Sequence, residues 1–223
     1  MKNLYVIFVL AAALVCNATA QAQTFYEEND FNEGFTIKYK GKRPTIVDFV
    51  TAIENSWEEN PEFLGDAHDA WKNYLRGRKI NKNETLTVDV ANGYVSYEQR
   101  NNYDGSESDG VKEYCFWNCN DKRYKLVAEN VYFYYEGKYF EGQYNGITFY
   151  LYDCVRRKMT HLANNFSIFE IDDKWFADSE GNYHPVEYNL PQKGKDITVK
   201  IHATNGTITK MLHWNGKGFD TDN

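Results

Sequence analysis

The sequence predicts an α+β protein that is mostly β, with an antiparallel β meander and an N-terminal helical hairpin packed on it. Three observations support this fold class. From residue 84 onwards, apolar and polar residues alternate in one segment after another, as they do in half-buried strands. Two earlier stretches place apolar residues at helical spacing, and a segment of about 35 residues occurs twice. The meander is expected to form a sandwich or an open barrel.

The first 20 residues have the features of a secretory signal peptide. Lys2 supplies a positive charge, residues 4–15 are apolar, and Ala18-Thr-Ala20 fits the small-x-small cleavage rule. We expect cleavage after Ala20, although cleavage after Ala22 is nearly as favourable. The apolar run is too short to span a bilayer, which requires about 20 residues, and no second run follows. Residues 21–223 are therefore expected to form one exported domain that is not an integral membrane protein.

The predicted location and the net charge of the exported chain exclude some classes of partner. A lipoprotein anchor at Cys16 is disfavoured, because Val15 precedes it where a small residue is expected. The expected location is secreted or periplasmic, with the cell surface also open. Loss of Lys2 with the signal takes the net charge from -7 to -8. An acidic chain without a basic cluster argues against nucleic acid and anionic membrane surfaces as partners.

Residues 45–77 are predicted to form the helical hairpin. Thr45 and Asp48 resemble a capping box at the start of the first helix. Asp66 is the predicted N-cap of the second helix, and Gly77 marks its end. The apolar stripes comprise Ile46, Phe49, Val50, Ile53 and Trp57 in the first helix, and Ala67, Ala70, Trp71, Tyr74 and Leu75 in the second. Both tryptophans are interpreted as packing residues because they lie on these stripes.

Residues 84–219 are predicted to form the meander. Asn92-Gly93 is a strong hairpin signal between two alternating segments. Asn205-Gly206 predicts another two-residue turn, which would pair Thr204 with Thr207. This pairing places one set of residues on the apolar face of the last hairpin: Val199, Ile201, Ala203, Ile208 and Leu212. Residues 101–110 are predicted to be a polar loop. Their acidic residues lack the spacing of a twelve-residue calcium loop, and strands flank them instead of helices.

The internal repeat aligns residues 114–148 with residues 149–183. Each copy is parsed as four short strands joined by tight turns, which is typical of an antiparallel meander. The predicted strands are Tyr114–Cys119, Arg123–Ala128, Val131–Glu136 and Tyr139–Gln143 in the first copy, and Ile147–Cys154, Lys158–Ala163, Phe166–Ile171 and Lys174–Ala177 in the second. Repeats of this period also occur in propellers, but two copies are too few to close one.

Three cysteines remain after cleavage: Cys115, Cys119 and Cys154. Cys119 and Cys154 are equivalent in the repeat, and equivalent strands could lie side by side. A disulfide between them is therefore one hypothesis, since exported proteins form disulfides. The other is that all three are buried free thiols acting as small hydrophobic residues.

The sequence singles out no catalytic residue, metal ligand or cofactor site. The predicted hairpin separates His202 from His213 by four residues, about 13 Å along a strand, which is too far for both to bind one zinc ion. A Cys154–His161 pair across a predicted turn is the weak candidate for cysteine catalysis. The common nucleophile, metalloprotease, phosphate and dinucleotide motifs are absent from the sequence.

Tyrosines on two of the most apolar strands are the candidate ligand-binding residues. Tyr132 and Tyr134 share one face of their strand, and Tyr150 and Tyr152 share one face of theirs. Tyrosine at such positions commonly covers a sheet, with its hydroxyl group reaching solvent. The functional hypothesis is an aromatic platform that stacks on sugars or holds a protein strand, because interfaces are enriched in tyrosine.

The C-terminal half of the chain resembles small, uncharacterised exported proteins of gut Bacteroidetes. The resemblance rests on three runs: Tyr-Cys-Phe-Trp-Asn-Cys at 114–119, Gly-Ile-Thr-Phe-Tyr-Leu-Tyr-Asp at 146–153, and His-Trp-Asn-Gly-Lys at 213–217. It implies a periplasmic or surface location, and it assigns no catalytic residue.

Together these observations favour an exported, non-catalytic envelope protein that binds a glycan or a protein partner through an aromatic sheet face. The alternative is a secreted hydrolase acting on glycans through carboxylates that the sequence does not identify. A purely structural role in a larger envelope complex is a third hypothesis.

Overall fold

The structure of the chain is a computed structural model that describes residues 31, 33–56, 62–103, 105–142, 145–162, 171 and 173–221. The predicted signal peptide, with Cys16, lies outside the described residues. So do Trp57 and residues 166–170 of the second repeat.

The described residues form two α-helices, one 3-10 helix and twelve β-strands. The helices are α1 (Ile46–Glu54), α2 (Glu62–Leu75) and the 3-10 helix Asp173–Phe176. The strands are β1 (Phe35–Thr36), β2 (Glu84–Asp89), β3 (Tyr94–Tyr103), β4 (Ser106–Asn118), β5 (Tyr124–Tyr135), β6 (Lys138–Phe140), β7 (Gly146–Asp153), β8 (Lys158–His161), β9 (Val186–Asn189), β10 (Ile197–Ala203), β11 (Gly206–Trp214) and β12 (Phe219–Thr221).

The strands form two antiparallel sheets, which confirms the predicted α+β, mostly β class. The large sheet has the order β1-β8-β7-β5-β4-β3-β2, with β6 paired to the end of β5. The small sheet has the order β12-β11-β10-β9. The sheets are not closed into a barrel. Of the two predicted forms, the sandwich is therefore the closer description.

One face of the large sheet packs against the small sheet. Trp117 of β4 lies at the centre of this core, with its ring centroid 5.1 Å from that of Phe219 in edge-to-face geometry. Its Nε1 donates a hydrogen bond of 2.7 Å to the carbonyl oxygen of Lys195. The indole thus fills apolar space and satisfies its single polar group, as buried tryptophan requires. Val199 and Phe149 contribute to the same core from opposite sheets.

The helices cover the other face of the large sheet. The N–H and hydroxyl groups of Thr45 donate to the Asp48 carboxylate at 2.7 and 2.8 Å, which fixes the start of α1. The described residues of the predicted stripe, Ile46, Phe49, Val50 and Ile53, are buried against this face. Helix α2 begins at Glu62, four residues before the predicted N-cap. Asp66 instead accepts a hydrogen bond of 2.7 Å from Gln99 Nε2 and so links α2 to β3.

Three local predictions inside the meander were wrong. Residues 101–103 belong to β3 and residues 106–110 to β4, and Tyr103 pairs with Ser106. Strand β5 is continuous, whereas the prediction broke it near Glu129 and Asn130. Both polar side chains are buried but hydrogen-bonded within the protein, so they do not interrupt the strand. The predicted strand at 174–177 is mostly the 3-10 helix.

The last hairpin has the predicted faces in a different register. Ala203 pairs with Gly206, so the two-residue loop is Thr204-Asn205. Every partner is thereby shifted by two residues from the predicted pairing. Because side chains alternate with a period of two, this shift leaves each residue on its predicted face. Val199 and Ile201 are fully buried, as expected.

Candidate functional site

The four candidate tyrosines do not share a surface. In β5, Tyr132 and Tyr134 alternate with Val131 and Phe133, so they lie on the face of the large sheet that bears the core shared with the small sheet. In β7, Tyr150 and Tyr152 pack on the opposite face, in the core beneath the helices. The predicted platform is therefore divided between the two faces of the large sheet.

Tyr150 and Tyr152 are core residues. Tyr152 is completely buried, and its ring centroid lies 5.1 Å from that of Phe49 on α1. The hydroxyl group of Tyr150 donates a hydrogen bond of 2.9 Å to Glu129. An external ligand cannot stack on either ring in this structure. The part of the prediction that placed them on a binding surface is corrected accordingly.

The predicted disulfide between Cys119 and Cys154 is not formed. Both are free thiols, as is Cys115. Strand β5 lies between β4 and β7, which separates the two outer strands by about 10 Å. Cys119 also packs in the core between the sheets, whereas Cys154 packs in the core beneath the helices. The packing thus supports the alternative that these cysteines act as small hydrophobic residues.

The histidine candidates do not come together. His202 Nε2 lies 2.9 Å from Glu187 Oε2, and His213 Nδ1 lies 2.9 Å from Asp196 Oδ2. His161 pairs with Tyr150, four residues before Cys154 in sequence, which is about 13 Å along the strand. No group of three metal-ligating side chains is found within the described part of the chain.

A pocket of about 250 Å³ lies on the Tyr132 and Tyr134 side of β3, β4 and β5. Two rows of cross-strand neighbours build it. Arg100, Asp109 and Tyr134 form the row nearer the β3–β4 turn, and Glu98, Val111 and Tyr132 form the next row. Gln99 and Gly110 complete its lining. We call this group the tyrosine pocket.

The two tyrosines form a corner of the pocket. Their ring centroids are 5.9 Å apart and their planes are nearly perpendicular, at 85°. Tyr132 is only 9% exposed, yet its hydroxyl group has no hydrogen-bond partner among the described residues. The pKa of Tyr132 is raised, by burial first and then by the nearby Glu113 carboxyl group. Tyr132 therefore stays protonated and offers both a donor and an acceptor to the pocket.

Tyr134 lies next to residues of the small sheet. Burial raises the pKa of Tyr134, and the nearby Glu187, a completely buried residue of β9, raises it further. Burial alone would raise the pKa of Glu187, but hydrogen bonds from Lys200 Nζ at 2.8 Å and from its other donors lower it. His202 stacks on Tyr139 with ring centroids 4.5 Å apart. Tyr139 in turn packs against Tyr134 in edge-to-face geometry, with ring centroids 6.2 Å apart.

The charged side chains of the pocket are unpaired. Within the described residues, Glu98, Arg100 and Asp109 form no ion pair, and their side chains form no hydrogen bond. Arg100 is exposed, whereas Glu98 and Asp109 are half-buried. These groups are free to bind a ligand. Sequence reasoning missed all three, because it treated residues 101–110 as a loop and so lacked the β3–β4 register.

A second polar cluster lies on the opposite face, beneath the helices. Lys112 Nζ lies 2.7 Å from Glu54 Oε1 and 2.9 Å from Glu129 Oε1. Tyr114 donates to Glu54, and His68 Nδ1 lies 3.0 Å from the other oxygen of that carboxylate. The charges are thus paired with one another inside the protein. We interpret this cluster as the polar contact that orients α1 on the sheet.

Comparison with known proteins assigns no function to the site. In the part of the chain that the structure describes, no helix is both long and apolar enough to cross a membrane. Compared with protein-family models, with curated proteins and with solved structures, the chain matches none of them.

Proposed function

We propose that the chain is an exported, non-catalytic envelope protein that binds a glycan in the tyrosine pocket. The single observation that carries this proposal is the Tyr132 hydroxyl group, which lines a pocket without a hydrogen-bond partner inside the protein. The hydroxyl group is not among the buried polar atoms that lack a partner, so it reaches the open space of the pocket, where a ligand hydroxyl group could replace water as its hydrogen-bond partner. The export rests on the predicted signal peptide at residues 1–20.

The pocket chemistry suits a sugar better than a protein strand. A partner strand would have to add to a free sheet edge, but β3, β4 and β5 each already pair with a strand on both sides. Recognition must therefore use side chains. Tyrosine rings offer apolar surface, while the unpaired carboxylates and guanidinium group can bind hydroxyl groups that both donate and accept. At about 250 Å³ the pocket is small, as expected for a site that accommodates one unit of a chain.

A secreted glycan hydrolase is the second candidate function, and one observation favours it. Glu98 and Asp109 are diagonal neighbours across β3 and β4, so their Cβ atoms lie about 7 Å apart. Glycosidases use two carboxyl groups about 5–10 Å apart, one of which protonates the leaving oxygen. If hydrolysis occurs, Glu98→Gln and Asp109→Asn must each abolish it. A pure binding site would release no reducing sugar from any bound glycan.

A glycan array followed by calorimetry of the best-binding glycan tests the proposal. Tyr132→Phe removes only the unpartnered hydroxyl group and is expected to weaken binding by about 3- to 10-fold, the value of one hydrogen bond. Tyr134→Ala removes a wall of the pocket and is expected to weaken it more. Tyr135→Ala is the matched control, because Tyr135 is 49% exposed on the same strand but on the other face. Absence of any glycan ligand, or equal affinities for all three variants, would contradict the proposal.

A further inference from the structure

We infer that the tyrosine pocket selects a cationic group, the protonated amine of an amino sugar. This inference rests on the proposed glycan binding and adds the chemical class of the ligand. It follows from three features of the pocket: the balance of its charges, their depth, and the angle between its two aromatic rings.

The balance of charge in the pocket is negative. Two carboxylates, Glu98 and Asp109, line it together with one guanidinium group, that of Arg100. The carboxylates are half-buried, whereas Arg100 is exposed. Opposite charges attract more strongly where water is partly excluded, so the carboxylates are better placed than Arg100 to act on a bound group. A cation that enters the pocket gains two partners and meets one competitor at the rim.

The acidic side chain behind the pocket has no cationic partner among the described residues. Glu113 is buried on the same face, and its contacts are the Tyr94 hydroxyl group at 2.7 Å, Asn130 Nδ2 at 3.1 Å and the backbone N–H of Leu190 at 3.0 Å. None of these three partners is a cation. Glu187, by contrast, forms an ion pair with Lys200, whose Nζ lies 2.8 Å from Glu187 Oε1. Because burial raises the pKa of Glu113, the carboxylates that give the pocket its negative charge are Glu98 and Asp109.

The ring geometry fits a cation as well. A cation is attracted to the face of an aromatic ring, and pairs of rings at an angle form the cages that bind ammonium groups. The planes of Tyr132 and Tyr134 meet at 85°, and Tyr134 is the more exposed of the two, so its ring offers most of the aromatic surface at this corner. Carboxylates from the neighbouring strands border this corner. A neutral N-acetyl group would lose the attraction to both the rings and the carboxylates.

The test compares two ligands that differ only in charge. Calorimetry of the exported chain would use the fully deacetylated chitin tetrasaccharide and the N-acetylated tetrasaccharide, in mildly acidic buffer at low salt. We expect the cationic ligand to bind about tenfold more tightly, and added salt to reduce this advantage because exposed charges are screened. Asp109→Asn and Glu98→Gln should each remove most of the preference. Arg100→Gln should raise affinity for the cationic ligand, because it removes the competing cation.

The outcomes separate this inference from the proposed function. Equal affinities, or tighter binding of the N-acetylated ligand, would overturn the cation preference, while weakening of both ligands by Tyr132→Phe would still support glycan binding. Binding of neither tetrasaccharide, together with an empty glycan array, would overturn both. Retention of the full preference in Glu98→Gln and Asp109→Asn would overturn the role given to the carboxylates.

Discussion

Lys112 Nζ lies 2.7 Å from Glu54 Oε1, and both side chains are almost completely buried. Glu54 is the last residue of α1, and Lys112 lies in the middle of β4, so this ion pair joins the helical hairpin to the sheet. Glu129 contributes a second carboxylate at 2.9 Å. Removal of the lysine would leave two acidic groups buried next to each other without a cation.

Lys112→Met should therefore lower the free energy of unfolding by about 3–5 kcal/mol, the cost of breaking a buried ion pair from one side. Urea unfolding followed by tryptophan fluorescence measures this change. Lys122→Met is the control, because Lys122 is exposed in the turn before β5. If the two substitutions cost the same, the buried cluster does not anchor the helices.

The environment of Asp153 predicts that the free energy of unfolding falls in acid. Its carboxylate accepts hydrogen bonds from Arg123 Nε at 3.0 Å and Nη2 at 2.6 Å. Burial opposes ionisation, but these bonds and two backbone N–H groups lower the pKa of Asp153 below 3.8. A lowered pKa stabilises the fold above the pKa of the unfolded chain, and this stabilisation is lost as the pH falls through the folded value.

Asp153→Asn should cost about 1–3 kcal/mol at neutral pH, as for a lost hydrogen bond to a charged group. The difference between the wild type and this variant should shrink as the pH falls below 3.8, where the wild-type carboxyl group also becomes protonated. Unfolding curves over a pH series provide the measurement. A difference that stays constant down to the lowest pH would show that the ionised form of Asp153 is not what stabilises the fold.

Glu113 predicts the opposite dependence on pH. Burial raises the pKa of Glu113 above 4.5 despite three hydrogen bonds. The contribution of Glu113 to the free energy of unfolding is therefore fully present below pH 4.5, and it is lost as the pH rises through the pKa of Glu113 in the folded protein.

Glu113→Gln should leave stability at neutral pH unchanged or raise it by up to about 1 kcal/mol, because it removes a buried charge. The amide oxygen can accept from Leu190 and Asn130, and the amide nitrogen can donate to the Tyr94 hydroxyl oxygen. Glu54→Gln is the contrasting variant, since Glu54 has a cationic partner and its loss should destabilise. Similar destabilisation by both substitutions at neutral pH would refute this account of Glu113.

Gly216 lies in the turn between β11 and β12 and connects this turn to the β4–β5 turn. The backbone N–H of Asn120 donates to its carbonyl oxygen at 2.8 Å, and a Cβ atom at Gly216 would overlap the side chain of Asn120. Its φ of +95° is also unfavourable for other residues.

Gly216→Ala should therefore cost about 1–2.5 kcal/mol, from backbone strain and from displacement of the exposed Asn120 side chain, which gives up its hydrogen bond to the carbonyl oxygen of Asn215. Gly194→Ala separates the two effects, because Gly194 has a φ of +89° but open space around its Cβ position. Only the strain, about 1 kcal/mol, is expected there. Thermal unfolding of both variants is the measurement, and equal shifts in Tm would show that the contact with Asn120 does not matter.

Several features of the fold could be predicted because they depend on local patterns. Thr45 and Asp48 mark the start of α1, and the alternation of apolar residues assigns the faces of β10 and β11. Alternation also predicts that Tyr132 and Tyr134 lie on one face of β5 and that Val131 and Phe133 lie on the other. What alternation cannot show is which faces of different strands lie on the same side of a sheet.

The repeat illustrates this limit. It aligns Cys115 with Tyr150, but in the sheet Ala128 lies between Cys115 and Phe149. The alignment is therefore one residue out of register with the pairing, and a shift of one residue reverses the face of every side chain. This is why the cysteines at 119 and 154, and the tyrosines of β5 and β7, are on opposite sides.

The charged residues of the tyrosine pocket required the β3–β4 register. Asp104-Gly105 is a strong two-residue hairpin signal. A turn at these two residues would pair Arg100 with Asp109. The continuity of β5 was harder to predict. Glu129 and Asn130 remain in the strand because their partners, Lys112 and Glu113, come from a neighbouring strand far away in sequence.

The most direct test of the proposed function is a titration of the ¹⁵N-labelled exported chain with the glycan selected by the array, followed by NMR. We expect the amide signals of Arg100, Asp109, Tyr132 and Tyr134 to shift in proportion to occupancy, while those of Tyr150 and Tyr152 stay unchanged. Shifts confined to the helical face, or to any region apart from β3, β4 and β5, would contradict the assignment of the binding site to the tyrosine pocket.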